Sequence, residues 1–76
     1  MDNGLKTILL RFPEYRERII KQIRENVEFE DLCSDYELCV DMVKMLETET
    51  ALRHSKLEEY LEIKIELELE VLRYLH

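Results

Sequence analysis

The side chains best suited to metal or thiol chemistry in this 76-residue chain are two cysteines and two histidines. Cys33 and Cys39 are separated by a spacing that rotates them about 240° apart on a helix, so they could neither form a disulfide there nor bind one metal ion. Neither His54 nor His76 lies near a cysteine at the spacing of a zinc site. We therefore expect two reduced, largely buried thiols that pack as small apolar groups, with no metal or cofactor.

The other residue patterns that support catalysis are also missing from the sequence. No Ser–His–Asp or Cys–His set has a recognisable spacing, and Gly4 is the only glycine, so no glycine-rich loop can bind phosphate. The carboxylates recur at the spacing of solvated helix faces and do not converge on a pocket. A dyad of Cys33 with a distant histidine is the remaining catalytic option. The sequence predicts a protein that is not an enzyme.

Length and composition predict one small all-helical domain over residues 1–76. The chain is 46% hydrophobic and 38% charged, with one glycine and one proline. It is too apolar for intrinsic disorder and too poor in turn residues for a many-stranded β fold. A core of this size supplies only a few kcal/mol, so such domains are usually reinforced by disulfides, a metal or a second subunit.

Charge is distributed unevenly along the chain, whose net charge is −7. Residues 1–24 carry six basic and three acidic side chains, whereas residues 25–76 carry five basic and fifteen acidic ones. An acidic surface repels phosphate backbones, which disfavours nucleic acid as a partner. A weak nucleic-acid association of the basic N-terminal helix is the alternative function. Its candidate contacts are Arg11, Arg16, Arg18, Lys21 and Arg24.

Nothing in the sequence predicts membrane insertion or export. No apolar stretch approaches the length of a membrane span, and the start Met1-Asp2-Asn3-Gly4 is acidic and lacks a signal-peptide pattern. Together with cysteines that are expected to stay reduced, this predicts a cytoplasmic protein without a membrane partner.

Hydrophobic periodicity predicts three helices after an arm or short helix over residues 1–11. Pro13 suits the first position of a helix over 13–25, and Asn26 is a good N-cap for a helix over 27–50. Whether these two helices are continuous is left open. The first carries an apolar stripe of Phe12, Tyr15, Ile19, Ile23 and Val27. The second carries an a/d seam of Phe29, Leu32, Tyr36, Cys39, Val43, Leu46 and Thr50.

The segment Leu61–Val71 alternates apolar and charged residues, which is the period of a half-buried strand. The other candidate strand is the run Leu5–Leu10, and a two-stranded ribbon is marginal in water. Ser55 and Glu58 also form the two halves of a capping box. The sequence therefore favours a helix over 55–75, packed as an antiparallel hairpin with the helix over 27–50.

As a helix, this last segment is apolar over roughly 240° of its circumference, although about 100° suffices for one packed face. The surplus is predicted to be buried between chains, in an oligomeric coiled-coil-like bundle. Lys64 and Glu68 lie between the two apolar sectors, four residues apart, and could bond to each other. Inside such a bundle, a Lys64–Glu68 pair would act as a register device. The predicted interaction surface is Leu38, Met42, Met45, Leu61, Ile65, Leu69 and Leu72.

Short motifs make the chain similar to a known group of proteins. Phe-Pro-Glu-Tyr-Arg at 12–16, Arg-Glu-Asn at 24–26, and Phe29 followed by Leu32 resemble the YdcH-like family of small bacterial helical proteins of unknown function. The similarity covers most of residues 12–75. The resemblance implies a self-associating helical hairpin in the bacterial cytoplasm, and it carries over no catalytic residue.

Three residues depart from the pattern of that family. Val27 stands where a proline is frequent, Tyr36 replaces a common histidine, and Leu69 replaces a common polar residue. The last two changes make this chain more apolar. The function predicted from the sequence is a small helical oligomerisation or protein-interaction module that binds itself or another protein.

Overall fold

The computed structural model describes residues 4–48 and 54–76. Its elements are α1 (Leu5–Arg11), a short 3-10 helix (Pro13–Tyr15), α2 (Arg16–Glu25), α3 (Val27–Glu47) and α4 (His54–Leu75). No described residue lies in a β-strand. The prediction of an all-α fold is therefore confirmed, and the alternating segment Leu61–Val71 is helical throughout.

The observed helix boundaries refine the predicted ones. The segment 1–11, predicted as an arm or short helix, is a helix from Leu5 to Arg11, while residues 1–3 lie outside the described part of the chain. The predicted helix end at residue 50, and Thr50 of the seam, also lie outside it. Helix α4 begins at His54, one residue before the predicted start at residue 55. The predicted capping box depends on the side chain of Ser55, which lies outside the described part of the structure.

A sharp break separates α2 from α3, which answers the question left open by the sequence. The backbone of Asn26 is extended, with φ −136° and ψ 105°. Its side-chain Oδ1 accepts hydrogen bonds from the N–H groups of Glu28 (3.0 Å) and Phe29 (3.3 Å), as an N-cap does. The break changes the direction of the chain, and Val27 is exposed. The prediction that Val27 continues the apolar stripe of α2 was therefore wrong.

Removal of this cap is expected to weaken the start of α3. Asn26→Ala should lower the free energy of unfolding by about 1 kcal/mol, because two amide groups lose their acceptor. Urea denaturation followed by circular dichroism measures the change. Asn26→Asp keeps the acceptor and should stay close to the wild type. Equal stability of the alanine variant and the wild type would show that the cap contributes nothing.

Helices α3 and α4 form an antiparallel hairpin. The ring of Phe29 packs against Tyr74 with centroids 5.4 Å apart, and the Cys39 thiol donates to the carbonyl oxygen of Tyr60 at 3.3 Å. Partner numbers fall along α4 as they rise along α3, which defines the antiparallel arrangement. The seam prediction is confirmed for its described members, all of which are buried: Phe29, Leu32, Tyr36, Cys39, Val43 and Leu46.

The two N-terminal helices cover one end of this hairpin. Ile8, Phe12 and Ile19 join the same buried cluster as Val71 and Leu75 near the end of α4. Side chains of α2 also bind the last carbonyl groups of α4, which lack partners within their own helix. Arg18 donates to the Leu75 oxygen at 2.6 Å, and Gln22 donates to the Tyr74 oxygen at 3.1 Å.

Both cysteines are buried and unpaired, as predicted. Burial, with a smaller contribution from Glu30, raises the pKa of the Cys33 thiol to about 12. Burial also raises the pKa of Cys39. Because the thiolate is the reactive form, both groups behave as small apolar side chains.

Candidate interaction surface

An apolar stripe runs along the outer side of α4. Leu61, Ile65 and Leu69 recur every four residues and therefore share one face of the helix. Their exposed fractions are 36%, 57% and 53%. This face, named here the α4 stripe, lies about 100° around the helix from the buried Val71 and Leu75. The prediction that one neighbouring helix cannot cover the apolar surface of α4 agrees with this geometry.

The remaining predicted surface residues lie at different depths. Leu72 is half-buried and packs against the core cluster at the end of the α4 stripe. On α3, Leu38 and Met45 are exposed and Met42 is half-buried. These three residues, the α3 group, lie about 120° around their helix from the buried seam. The predicted surface is therefore divided between two helices and is not one continuous patch.

A polar cluster of three residues joins α1, α3 and α4. The Glu68 carboxylate accepts hydrogen bonds from Arg11 through Nε (3.0 Å) and Nη2 (3.2 Å), and from the Tyr36 hydroxyl at 2.5 Å. The Glu68 side chain is only 14% exposed, whereas that of Arg11 is 51% exposed. The Arg11 guanidinium also lies 4.8 Å from the ring centroid of its neighbour Phe12.

The possible bond between Lys64 and Glu68 does not form, because Glu68 takes its partners from other helices. Lys64 is half-buried and acts on Glu68 through its charge alone. Periodicity along α4 identified the core-facing position of Glu68, but its partners lie far away in sequence. A carboxylate that faces the core needs a cation or a hydroxyl group as its partner. This requirement was the one indication in the sequence that Glu68 binds residues of other helices.

Opposing effects set the ionisation of the polar cluster. Burial disfavours the charged form of Glu68, but the hydrogen bonds from Arg11 and Tyr36, with the nearby positive charges, lower its pKa overall. Burial, together with the bond to Glu68, raises the pKa of Tyr36. The bond to Glu68 also raises the pKa of Arg11. Near neutral pH the cluster therefore contains a carboxylate, a guanidinium and a protonated phenol.

The basic side chains considered for nucleic acid do not form one free patch. Arg11 is bonded to Glu68, and Arg18 is bonded to the end of α4. Arg16, Lys21 and Arg24 are exposed. Two of the five candidate contacts are thus held within the protein by hydrogen bonds.

The described surface contains shallow depressions. One of about 320 Å³, named here the α1 groove, is lined by Leu5, Lys6, Leu9, Leu10 and Arg16. A second depression, of about 330 Å³, lies where α2 meets the end of α4. Within residues 4–48 and 54–76, no cluster of three or more His, Cys, Asp or Glu side chains could hold a metal ion. None of the described helices has the length and apolar character required to cross a bilayer.

The fold and this surface define a small all-helical protein with uncovered apolar side chains on its two longest helices. Comparisons with models of protein families, with curated proteins and with solved structures find no match to the chain. The relationship to the YdcH-like family stays a prediction based on the short motifs.

Proposed function

We propose that the chain is a small, non-enzymatic helical module that associates with copies of itself. The α4 stripe is the observation that supports this proposal most directly. Three large aliphatic side chains stand at helical spacing on one face and remain exposed after the domain has folded. Such rows are the surfaces that helices bury against other helices.

The energy available from the α4 stripe is moderate. Burying the exposed half of a Leu or Ile side chain contributes about 1 kcal/mol, since full burial contributes roughly 1.5–3 kcal/mol. Three such residues on one stripe give about 3 kcal/mol, which is less than the association cost of roughly 4–15 kcal/mol. Association at micromolar concentrations therefore requires additional favourable contacts from residues outside the stripe.

The α3 group offers a second apolar contact on the other long helix. Leu38 and Met45 are exposed, and methionine adapts well to irregular partner surfaces. A chain with two contact regions can build an oligomeric bundle or receive a second protein. We also place the module in the cytoplasm, because its two buried cysteines are unpaired. This proposal agrees with the self-associating hairpin that the YdcH-like resemblance implies.

Polar substitution within the α4 stripe tests the proposal. The wild type should associate with a dissociation constant in the range of about 1–100 μM in analytical ultracentrifugation. Ile65→Gln with Leu69→Gln should shift the protein to monomer and weaken association at least about tenfold. Glutamine is a good helix former, so the fold of α4 should be retained.

Val27→Gln is the matched control, since Val27 is also exposed but lies on neither surface. It should leave the association unchanged. Circular dichroism of each variant verifies that helix content is retained. A wild type that stays monomeric up to about 1 mM, which corresponds to only about 4 kcal/mol of binding energy, would overturn the proposed function.

A further inference from the structure

The α1 groove combines an apolar floor with a basic rim. Leu5 and Leu9 are half-buried against the core, whereas Leu10 is 75% exposed. Lys6 and Arg16 line the same depression, and both are exposed. Neither forms an ion pair with any described residue. The groove therefore presents one exposed and two half-buried leucines beside two positive charges that have no ion-pair partner among the described residues.

The α4 stripe has the opposite charge along its edge. Four exposed glutamates recur at the same four-residue interval, offset by one residue from the stripe. This glutamate row is Glu58, Glu62, Glu66 and Glu70. Side chains one residue apart are rotated by about 100° on a helix, so the row borders the stripe. Any surface that covers the stripe must come close to these carboxylates.

Antiparallel packing of the α4 stripe on the same stripe of a second copy is electrostatically unfavourable. In an antiparallel pair of helices, a row on one side of each stripe falls along the same edge of the interface. The two glutamate rows would then face each other, and like charges in contact oppose association. Arg73 lies at the end of α4 and could reach only the first glutamate of the opposite row.

We propose that the α4 stripe of one copy packs into the α1 groove of another copy. The leucines of the groove would cover the stripe, and Lys6 and Arg16 would pair with Glu62 and Glu66. The contact is heterologous, because the stripe of one copy meets the groove of another. Each molecule can therefore contribute its stripe to one neighbour and its groove to a second neighbour. This inference rests on the proposed self-association and names the surface that receives the stripe.

A charge swap between the two surfaces tests the contact by sedimentation velocity in low-salt buffer, where surface charges are least screened. Lys6→Glu with Arg16→Glu makes the groove acidic, and Glu62→Lys with Glu66→Lys makes the edge of the stripe basic. Each double variant alone should associate at least about tenfold more weakly than the wild type. An equimolar mixture should restore association, because each surface then meets its opposite. The fourfold variant should also associate, since both swaps are combined in one chain.

Lys21→Glu with Arg24→Glu is the matched control, because it changes the net charge equally at exposed positions of α2 outside the groove. It should retain most of the association. If the groove variant associates like the wild type, the groove is not the receiving surface and this inference is wrong, while self-association stands. If the mixture and the fourfold variant stay monomeric, the inference is also wrong. A monomeric wild type removes the proposed function itself.

Discussion

Gly4→Ala is expected to lower the free energy of unfolding by about 3 kcal/mol. Gly4 has φ 84°, in the left-handed region, where a residue with a β-carbon loses about 1–2 kcal/mol. That β-carbon would also overlap the Cys33 carbonyl oxygen and lie 2.7 Å from its carbonyl carbon. Both are backbone atoms of α3, so relief requires α1 to move, and overpacking of this kind costs about 1–3 kcal/mol.

The loss at Gly4 should be concentrated in the docking of α1. Urea denaturation measures the total change, and hydrogen exchange should show that amides within Leu5–Arg11 lose protection before those of α3. Asp35→Ala is the control, because Asp35 is exposed in the middle of α3. If Gly4→Ala is as stable as this control, the close approach of α1 to α3 at Gly4 is not present in solution.

The sequence was sufficient to predict the helices and the buried seam of α3. Alternating spacings of three and four residues depend only on how a helix presents its side chains, so they located six buried residues from Phe29 to Leu46. The alternating segment was harder, because Leu and Glu at every second position satisfy a strand pattern. Helix propensity and the absence of a suitable partner strand decided correctly for a helix.

The contacts between distant helices could not be derived in the same way. Arg11 and Glu68 are 57 positions apart, and no local spacing relates them. The close approach at Gly4 also depends on where α1 crosses α3. The α4 stripe was predicted as surplus apolar surface, since that needs only the composition around one helix. The separation of the α4 stripe from the α3 group could not be predicted in this way. It depends on which side of α3 and of α4 is covered by the other helices, and that is a property of the assembled fold.

Removal of the Glu68 carboxylate should be the other large loss of stability. Glu68→Ala is expected to lower the free energy of unfolding by about 3 kcal/mol, because it leaves the Tyr36 hydroxyl without its acceptor and the Arg11 guanidinium without its partner. Most of this loss should come from the buried tyrosine, since solvent screens the half-exposed arginine. Tyr36→Phe removes one bond and leaves the ion pair, so it should cost about 1–2 kcal/mol.

A double-mutant cycle separates the polar cluster from general effects of substitution. Glu68→Ala combined with Tyr36→Phe should cost less than the sum of the two single changes, because the second change removes the unsatisfied hydroxyl. Glu66→Ala, at an exposed position of the same helix, is the control for loss of a glutamate. Strict additivity of the two single changes would contradict an energetic coupling between Tyr36 and Glu68.

The contribution of Glu68 to the free energy of unfolding should be lost on acidification, because the pKa of Glu68 is lowered in the folded protein. In the unfolded chain Glu68 takes up a proton near its ordinary pKa of 4.5, whereas the folded protein resists protonation to lower pH. Below pH 4.5 the unfolded state therefore binds more protons, and the stability contributed by Glu68 decreases as the pH falls through the native pKa.

The difference in unfolding free energy between the wild type and Glu68→Gln, measured by urea denaturation, should be constant above about pH 5.5 and shrink below it. Other carboxylates cancel in this comparison. A difference that grows on acidification would mean that burial, and not the bonds from Arg11 and Tyr36, controls the ionisation of Glu68.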